Sequence, residues 1–208
     1  MRTAMLAATL GVVSSGLVAQ EQYERPAQWK IRFDRPGIAD SAVYFVSMPP
    51  GLHITTRRQR AIFYDPSMTA TGAYRLRAEI RLFDPGRRRR EAYGVFFGGA
   101  DLQGDGQTYS YFLIRDTGDY LIKRRMGSET PTVVGWTPSD AIVTYAGEGT
   151  ADNVLEVQCG AETVNFYING EKVHSLPRSE LDTDGVVGLR VNHGLNVHVS
   201  GLEVRGAR

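Results

Sequence analysis

Apolar and polar residues alternate with a period of two along much of this chain, the spacing of strands that bury one face. Tyr74, Leu76, Ala78, Ile80 and Leu82 fall on one side of such a strand, and Arg75, Arg77, Glu79 and Arg81 fall on the other. The run stops at Asp84-Pro85-Gly86, a turn sequence. Residues 93–98 are uncharged on both faces, which predicts an inner strand with glycines where something approaches the backbone closely. Residues 109–115 and 120–125 are separated by Asp116-Thr117-Gly118-Asp119 and predict a hairpin. A further pair is expected between 154–157 and 164–168. Asn169-Gly170 then predicts a type I′ turn, because both residues tolerate positive φ, and 171–175 is the returning strand. Residues 185–191 and 195–204 complete the pattern, and Ser179-Glu180-Leu181 is a single helical turn at most.

Antiparallel strands joined by Gly, Asp and Pro turns each leave an apolar face to bury. The expected fold class is therefore all-β, two packed antiparallel sheets of about a dozen strands in total. Residues 20–38 read as an N-terminal arm, polar at its start, and 39–208 as the sandwich. The small and polar residues of 139–153 read as a connecting loop.

The first twenty residues break this pattern. Arg2 is followed by an uncharged, mostly small or apolar run that ends Leu17-Val18-Ala19-Gln20. That is the form of a short secretory signal, residues 1–19, cut after Ala19. The run is short for a membrane span and contains Ser14, Ser15 and Gly16, so no stable membrane insertion is expected after cleavage. The expected location is secreted or periplasmic.

The chain has 24 basic and 23 acidic residues, a balance that does not suggest a nucleic-acid partner. Arg87-Arg88-Arg89-Arg90 is the local exception and reads first as a solvated hairpin tip, with contact to an anionic polymer or lipid headgroup as the second reading. Cys159 is the single cysteine, so no intramolecular disulfide can form and a buried free thiol is expected.

The order of elements resembles a known family. It is carried by 61–64, the strand over 72–83, the segments 93–99 and 109–115, and Gly118-Asp119-Tyr120. In the tail it is carried by 164–170 with its Asn-Gly turn and by Asp184-Gly185-Val186-Val187-Gly188-Leu189. Over 39–204 the chain resembles the concanavalin A-like lectin/glucanase superfamily, and within it the bacterial secreted domains related to the 3-keto-disaccharide hydrolase domain. The resemblance implies a jelly-roll sandwich that binds glycans, cuts them, or serves as an interaction module. It implies a glycan-facing surface on the concave sheet and its rim loops. It says more about fold than about function.

Glycoside hydrolysis needs two carboxyls across the scissile bond. The superfamily's glucanases usually carry them on a Glu-x-Asp-x-x-Glu or Glu-x-Asp-x-Glu strand, and this chain has neither. A hydrolase would have to assemble its acid and base from Asp101, Asp105, Glu91 and His193. Asp101 and Asp105, in a loop rich in oxygen donors, are candidate ligands for a structural calcium ion, although the spacing is not an EF-hand and a plain Asp-capped loop is the simpler reading. None of the spacings among His53, His174, His193 and His198 is a zinc motif.

Binding is easier to support. Aromatic rings stack on sugars and polar tips read hydroxyls. Alternation puts Tyr109, Tyr111, Leu113 and Arg115 on one face of their strand, with Ser110, Phe112 and Ile114 on the other; it leaves open which face is core. The candidate site is Tyr109, Tyr111, Arg115, Arg124, Trp136 and His193, with an oligosaccharide or polysaccharide as partner and no cofactor required. A keto-disaccharide or glycoside hydrolase and a non-catalytic interaction module are the alternatives.

Overall fold

The structure is a computed structural model that describes residues 23–206; the expected signal sequence lies outside them. Among the described residues there are fifteen strands. They are β1 (Lys30–Phe33), β2 (Val43–Ser47), β3 (Leu52–Thr56), β4 (Ala61–Tyr64), β5 (Thr69–Ala70), β6 (Tyr74–Leu82), β7 (Ala92–Ala100) and β8 (Thr108–Arg115). There follow β9 (Asp119–Met126), β10 (Thr132–Pro138), β11 (Ala151–Cys159), β12 (Thr163–Ile168), β13 (Glu171–Pro177), β14 (Gly185–Val191) and β15 (Asn196–Gly206). One sheet has eight strands in the order β1-β4-β14-β7-β8-β9-β10, with β5 paired to β14. The other has seven, β13-β12-β11-β6-β15-β3-β2. All pairings between these strands are antiparallel.

The expected alternation holds where it was clearest. On β6, Tyr74, Leu76, Ala78, Ile80 and Leu82 are buried, and the residues between them are exposed or half-buried. They meet Tyr93, Val95 and Phe97 of β7, Phe112 and Ile114 of β8 and Leu155 and Val157 of β11 in one core between the sheets. Cys159 is buried and free, as expected.

Several expectations change. β1 lies inside the stretch assigned to the arm: Ile31 and Phe33 are buried in the core and β1 pairs with β4. The sandwich therefore begins at Lys30 and not at Ala39. Arg87 to Arg90 do not tip a hairpin, because β6 and β7 belong to different sheets. They sit exposed on the link that crosses between the two layers. β10 went unseen because register shifts interrupt its pairing with β9.

Two local devices match their sequence signals. Gly98 has φ of +66°, and a Cβ there would collide with the Asp182–Thr183 backbone. Asn169 and Gly170 both have positive φ, at 52° and 86°, between the paired residues Ile168 and Glu171. The Asn169 side chain also accepts the Val154 N–H at 2.7 Å and donates to the Ala141 carbonyl at 2.8 Å and to Asn153 Oδ1 at 2.9 Å. It thereby fixes the 139–150 loop to the turn. Asn169→Ala should cost roughly 2–4 kcal/mol in urea unfolding, from left-handed strain plus lost hydrogen bonds. Asn169→Gly removes the same bonds without the strain and should cost less. Equal losses would mean that the turn conformation contributes nothing.

Candidate functional site

The face of β8 left open by alternation is settled by packing. Phe112 and Ile114 enter the inter-sheet core. Tyr109, Tyr111 and Leu113 point outward, where they form a second cluster with Ile62, Tyr64, Ala92, Phe96, Leu102 and Leu121. The eight-stranded sheet thus carries apolar side chains on both faces, one against the other sheet and one on its outside.

That outer layer is not an open groove. Tyr109 and Tyr111 are 1% and 4% exposed. Loop 101–107 closes one end of the cluster: Leu102 packs into it and Gln103 Nε2 donates to the Tyr64 hydroxyl at 2.6 Å. Arg32 donates to the Gln103 carbonyl at 3.1 Å. Over the centre lies Arg190, whose guanidinium stands 4.9 Å from the centroid of the Tyr111 ring and donates to the Tyr109 hydroxyl at 2.9 Å. The two tyrosines are therefore a floor held beneath a cation, not free stacking platforms.

Arg190 is itself buried and grips Asp34 with two bonds, of 3.0 and 2.7 Å. Burial alone would raise the Asp34 carboxyl; the charge and hydrogen bonds of Arg190 outweigh it and hold the group below its ordinary value. Burial raises the Tyr109 and Tyr111 hydroxyls, so both stay neutral at ordinary pH. Burial also lowers Lys123, and repulsion from Arg190 and Arg60 lowers it further. This outer face is rich in like charge.

The other expected site residues divide. Arg115 lies 4.1 Å over the ring of Trp136 and is steadied by Asp119 at 3.0 Å. Trp136 is exposed at the sheet edge. His193 sits past the end of β14, with Nδ1 3.2 Å from Glu91 Oε2 and 3.2 Å from Arg60 Nε. One nitrogen faces an acceptor and a donor, so a given tautomer makes one of these bonds and not both. Arg124 does not belong to the set. It opposes Ser110 on β8 and so shares the inward side with Phe112 and Ile122. There it clamps Asp182 through two bonds of 3.1 Å. Strand parity removes it from the outer face.

Of the acid–base candidates, Glu91 and His193 are brought together, but Asp101 and Asp105 lie away from them. Glu91 and Asp101 bracket the nine residues of β7, which puts them roughly 30 Å apart. Asp105 is fully exposed beside Arg32 at 3.9 Å, and Asp101 turns its carboxylate over Gly104. Among the described residues no group of three His, Cys, Asp or Glu side chains is placed to hold a metal ion.

No protein-family model and no curated protein matches the chain. Solved structures do. The carbohydrate-binding module CBM66 from Bacillus subtilis aligns over 86% of this chain and 96% of its own, at 10% identity and a TM-score of 0.61. An endo-β-1,3-glucanase from Pyrococcus furiosus aligns over 89% and 91%, at 10% identity and 0.61. A Bacteroides ovatus mixed-linkage glucan GH16 protein aligns over 88% and 97%, at 8% identity and 0.60. The chain has the concanavalin A-like jelly-roll fold. At these identities the likeness is one of fold, and the concanavalin A-like frame leaves the chemistry to the side chains on its faces.

Sequence reasoning passed over Arg190 and Asp34. The available signal was an arginine inside the otherwise uncharged strand GVVGLRV. Asp34→Ala should leave a buried cation unpaired and cost about 3 kcal/mol, the low end for such pairs because Asp34 is partly exposed. Asp34 binds its proton less readily when folded than unfolded. Its stabilisation is therefore complete above about pH 4 and is lost as pH falls through the lower folded value. Urea midpoints for wild type and Asp34→Asn should converge as pH drops from 7 towards 3, and a constant gap would refute the assignment.

Proposed function

We propose that this protein is a secreted or periplasmic sugar-binding β-sandwich whose ligand, an oligosaccharide or polysaccharide, lies along the outer face of the eight-stranded sheet. One observation carries the reading: aromatic and guanidinium groups that the inter-sheet core does not use are gathered on that face. Rings and planar cations beside hydroxyl-bearing tips suit the apolar faces and polar edges of sugars. The fold is shared with a carbohydrate-binding module and with glucanases, which supports a glycan partner without specifying one.

Arg190, on β14, and Trp136, on β10, are separated by four strand-to-strand steps, about 19 Å. That span suits a chain of sugars better than a single ring. The accessible contacts are then Trp136 with Arg115 at one end and His193 with its arginine neighbours at the other. Tyr109 and Tyr111 act from beneath by holding Arg190 flat.

Binding is favoured over cutting because Glu91 stands at the opposite end of β7 from Asp101 and Asp105, beyond the 5–10 Å or so that glycoside hydrolysis uses, and Asp105 is fully exposed. It is favoured over an interaction module because the exposed large apolar side chains, Tyr44, Met126, Trp136 and Val143, are dispersed over different elements and make no single patch. A glycan array probed with the purified protein should give saccharide signals. Trp136→Ala and Arg115→Ala should each weaken them about tenfold or more while leaving the circular dichroism unchanged. An array that stays blank with folded protein would end this reading.

A further inference from the structure

Charge is distributed very differently on the two sheets. On the outside of the seven-stranded sheet, Arg75 meets Glu156 at 3.3 Å, Arg77 meets Glu79 at 2.5 Å and Arg81 meets Asp152 at 3.2 Å. These charges neutralise one another in pairs. At the His193 end of the eight-stranded sheet they do not. Arg35, Arg57, Arg58, Arg60 and Arg88 are all exposed there, and among the described residues none has a carboxylate within 4.0 Å. The chain as a whole carries a formal charge of only +1, so this is a local concentration.

The cations surround a definite cavity. It has a volume of about 150 Å³ and is lined by Asp34, Arg35, Arg58, Gln59, Arg60 and His193. Arg88 extends the ring: a Cβ on Gly194, next to His193, would stand 3.1 Å from its Nε. The carboxylate that lines the cavity, Asp34, and the one beside its His193, Glu91, are already committed. Both oxygens of Asp34 are held by Arg190, and Glu91 faces the His193 imidazole. At roughly 30 Å³ per water, the cavity takes about five waters, room for one small anionic group with part of its shell. Arginines gathered without counter-charge, around a cavity whose own acids are spoken for, are arranged for planar or tetrahedral oxyanions.

We infer that the glycan bound by this protein is acidic, and that Arg35, Arg58, Arg60 and His193 form a subsite for a carboxylate or sulfate group on it. The inference rests on the sugar-binding reading above and adds the chemical class of the sugar. The subsite adjoins the outer face through Asp34 and Arg190, so a chain lying over the sheet would bring its substituent to the cavity.

Binding of the purified protein to polygalacturonate, dextran sulfate, dextran and polyphosphate tests it, at about 50 and about 500 mM NaCl. At least one acidic polysaccharide should bind ten times tighter than dextran or any neutral glycan on the array. That preference should shrink at high salt. An Arg58→Ala/Arg60→Ala double variant should lose it at least tenfold with an unchanged unfolding midpoint, because both side chains are exposed. The uronate and sulfate arms tell which oxyanion is used. Equal binding of neutral and acidic glycans, or wild-type binding by the double variant, would overturn the inference and leave sugar binding standing. Polyphosphate bound as tightly as any acidic glycan would overturn the saccharide part of it. No glycan bound at all would remove the sugar-binding reading itself.

Discussion

Arg190 is a cation with a side chain 5% exposed, and a charge so placed is tolerable only when it is paired and hydrogen-bonded. Asp34 takes two of its N–H groups, the Tyr109 hydroxyl takes another, and the Tyr111 ring lies beneath it. These contacts tie β14 to β8 and to the segment that follows β1. They also decide what the outer face can present. Tyr109 and Tyr111 are nearly fully buried and do not stand as open stacking surfaces. With Arg190 laid over the Tyr111 ring and bonded to the Tyr109 hydroxyl they become supports, and the accessible groups of the face lie at its perimeter. Such a pair is a poor source of net stability, since an apolar replacement of the whole group can be as stable. What it supplies is a fixed guanidinium plane at the middle of the face.

The electrostatics follow from that arrangement. Asp34 neutralises Arg190 and has little left for Arg60 or Lys123, which remain as excess positive charge around the same face. Asp119 steadies Arg115 over Trp136, and Asp116 holds Arg89 at 2.7 Å. Asp34, Asp116 and Asp119 are thus each assigned to one arginine and Glu91 to His193, and among the described residues Arg35, Arg57, Arg58, Arg60 and Arg88 have no carboxylate within 4.0 Å. The opposite sheet, with its cross-paired charges, shows that this sequence can neutralise a face when nothing else is required of it.

Much of the frame was legible in the sequence, because its signals are local. The Asn169-Gly170 turn fixes the register of β12 and β13, and the Asp116–Asp119 turn fixes that of β8 and β9. Period-two alternation identified β6 for the same reason. What failed was everything set by distant chain. A Pro-Gly turn does not say that the next strand joins the other sheet, so 87–90 read as a hairpin tip. β1 has four residues and follows polar sequence, so only its docking on β4 reveals it. The two faces of 109–115 are both largely apolar, and alternation cannot rank them. Arg124 was grouped with Arg115 because they share a hairpin, although an odd separation across paired strands sends them to opposite sides.

The same packing bears on the choice between holding a glycan and cleaving it. Protein and glucanase can share this frame at about a tenth identity, so the frame is neutral on the question. Acid catalysis at a glycosidic bond needs a carboxyl that keeps its proton near neutral pH, which burial away from cations provides. The carboxyl beside the outer-face tyrosines is Asp34, and it is driven the other way, ionised by the arginine it must neutralise. Glu91 faces an imidazole instead of an apolar wall. The interaction that keeps the outer face assembled therefore takes its nearest carboxyl out of acid chemistry, and the groups left accessible there are cations and an indole, the chemistry on which the proposed glycan binding rests.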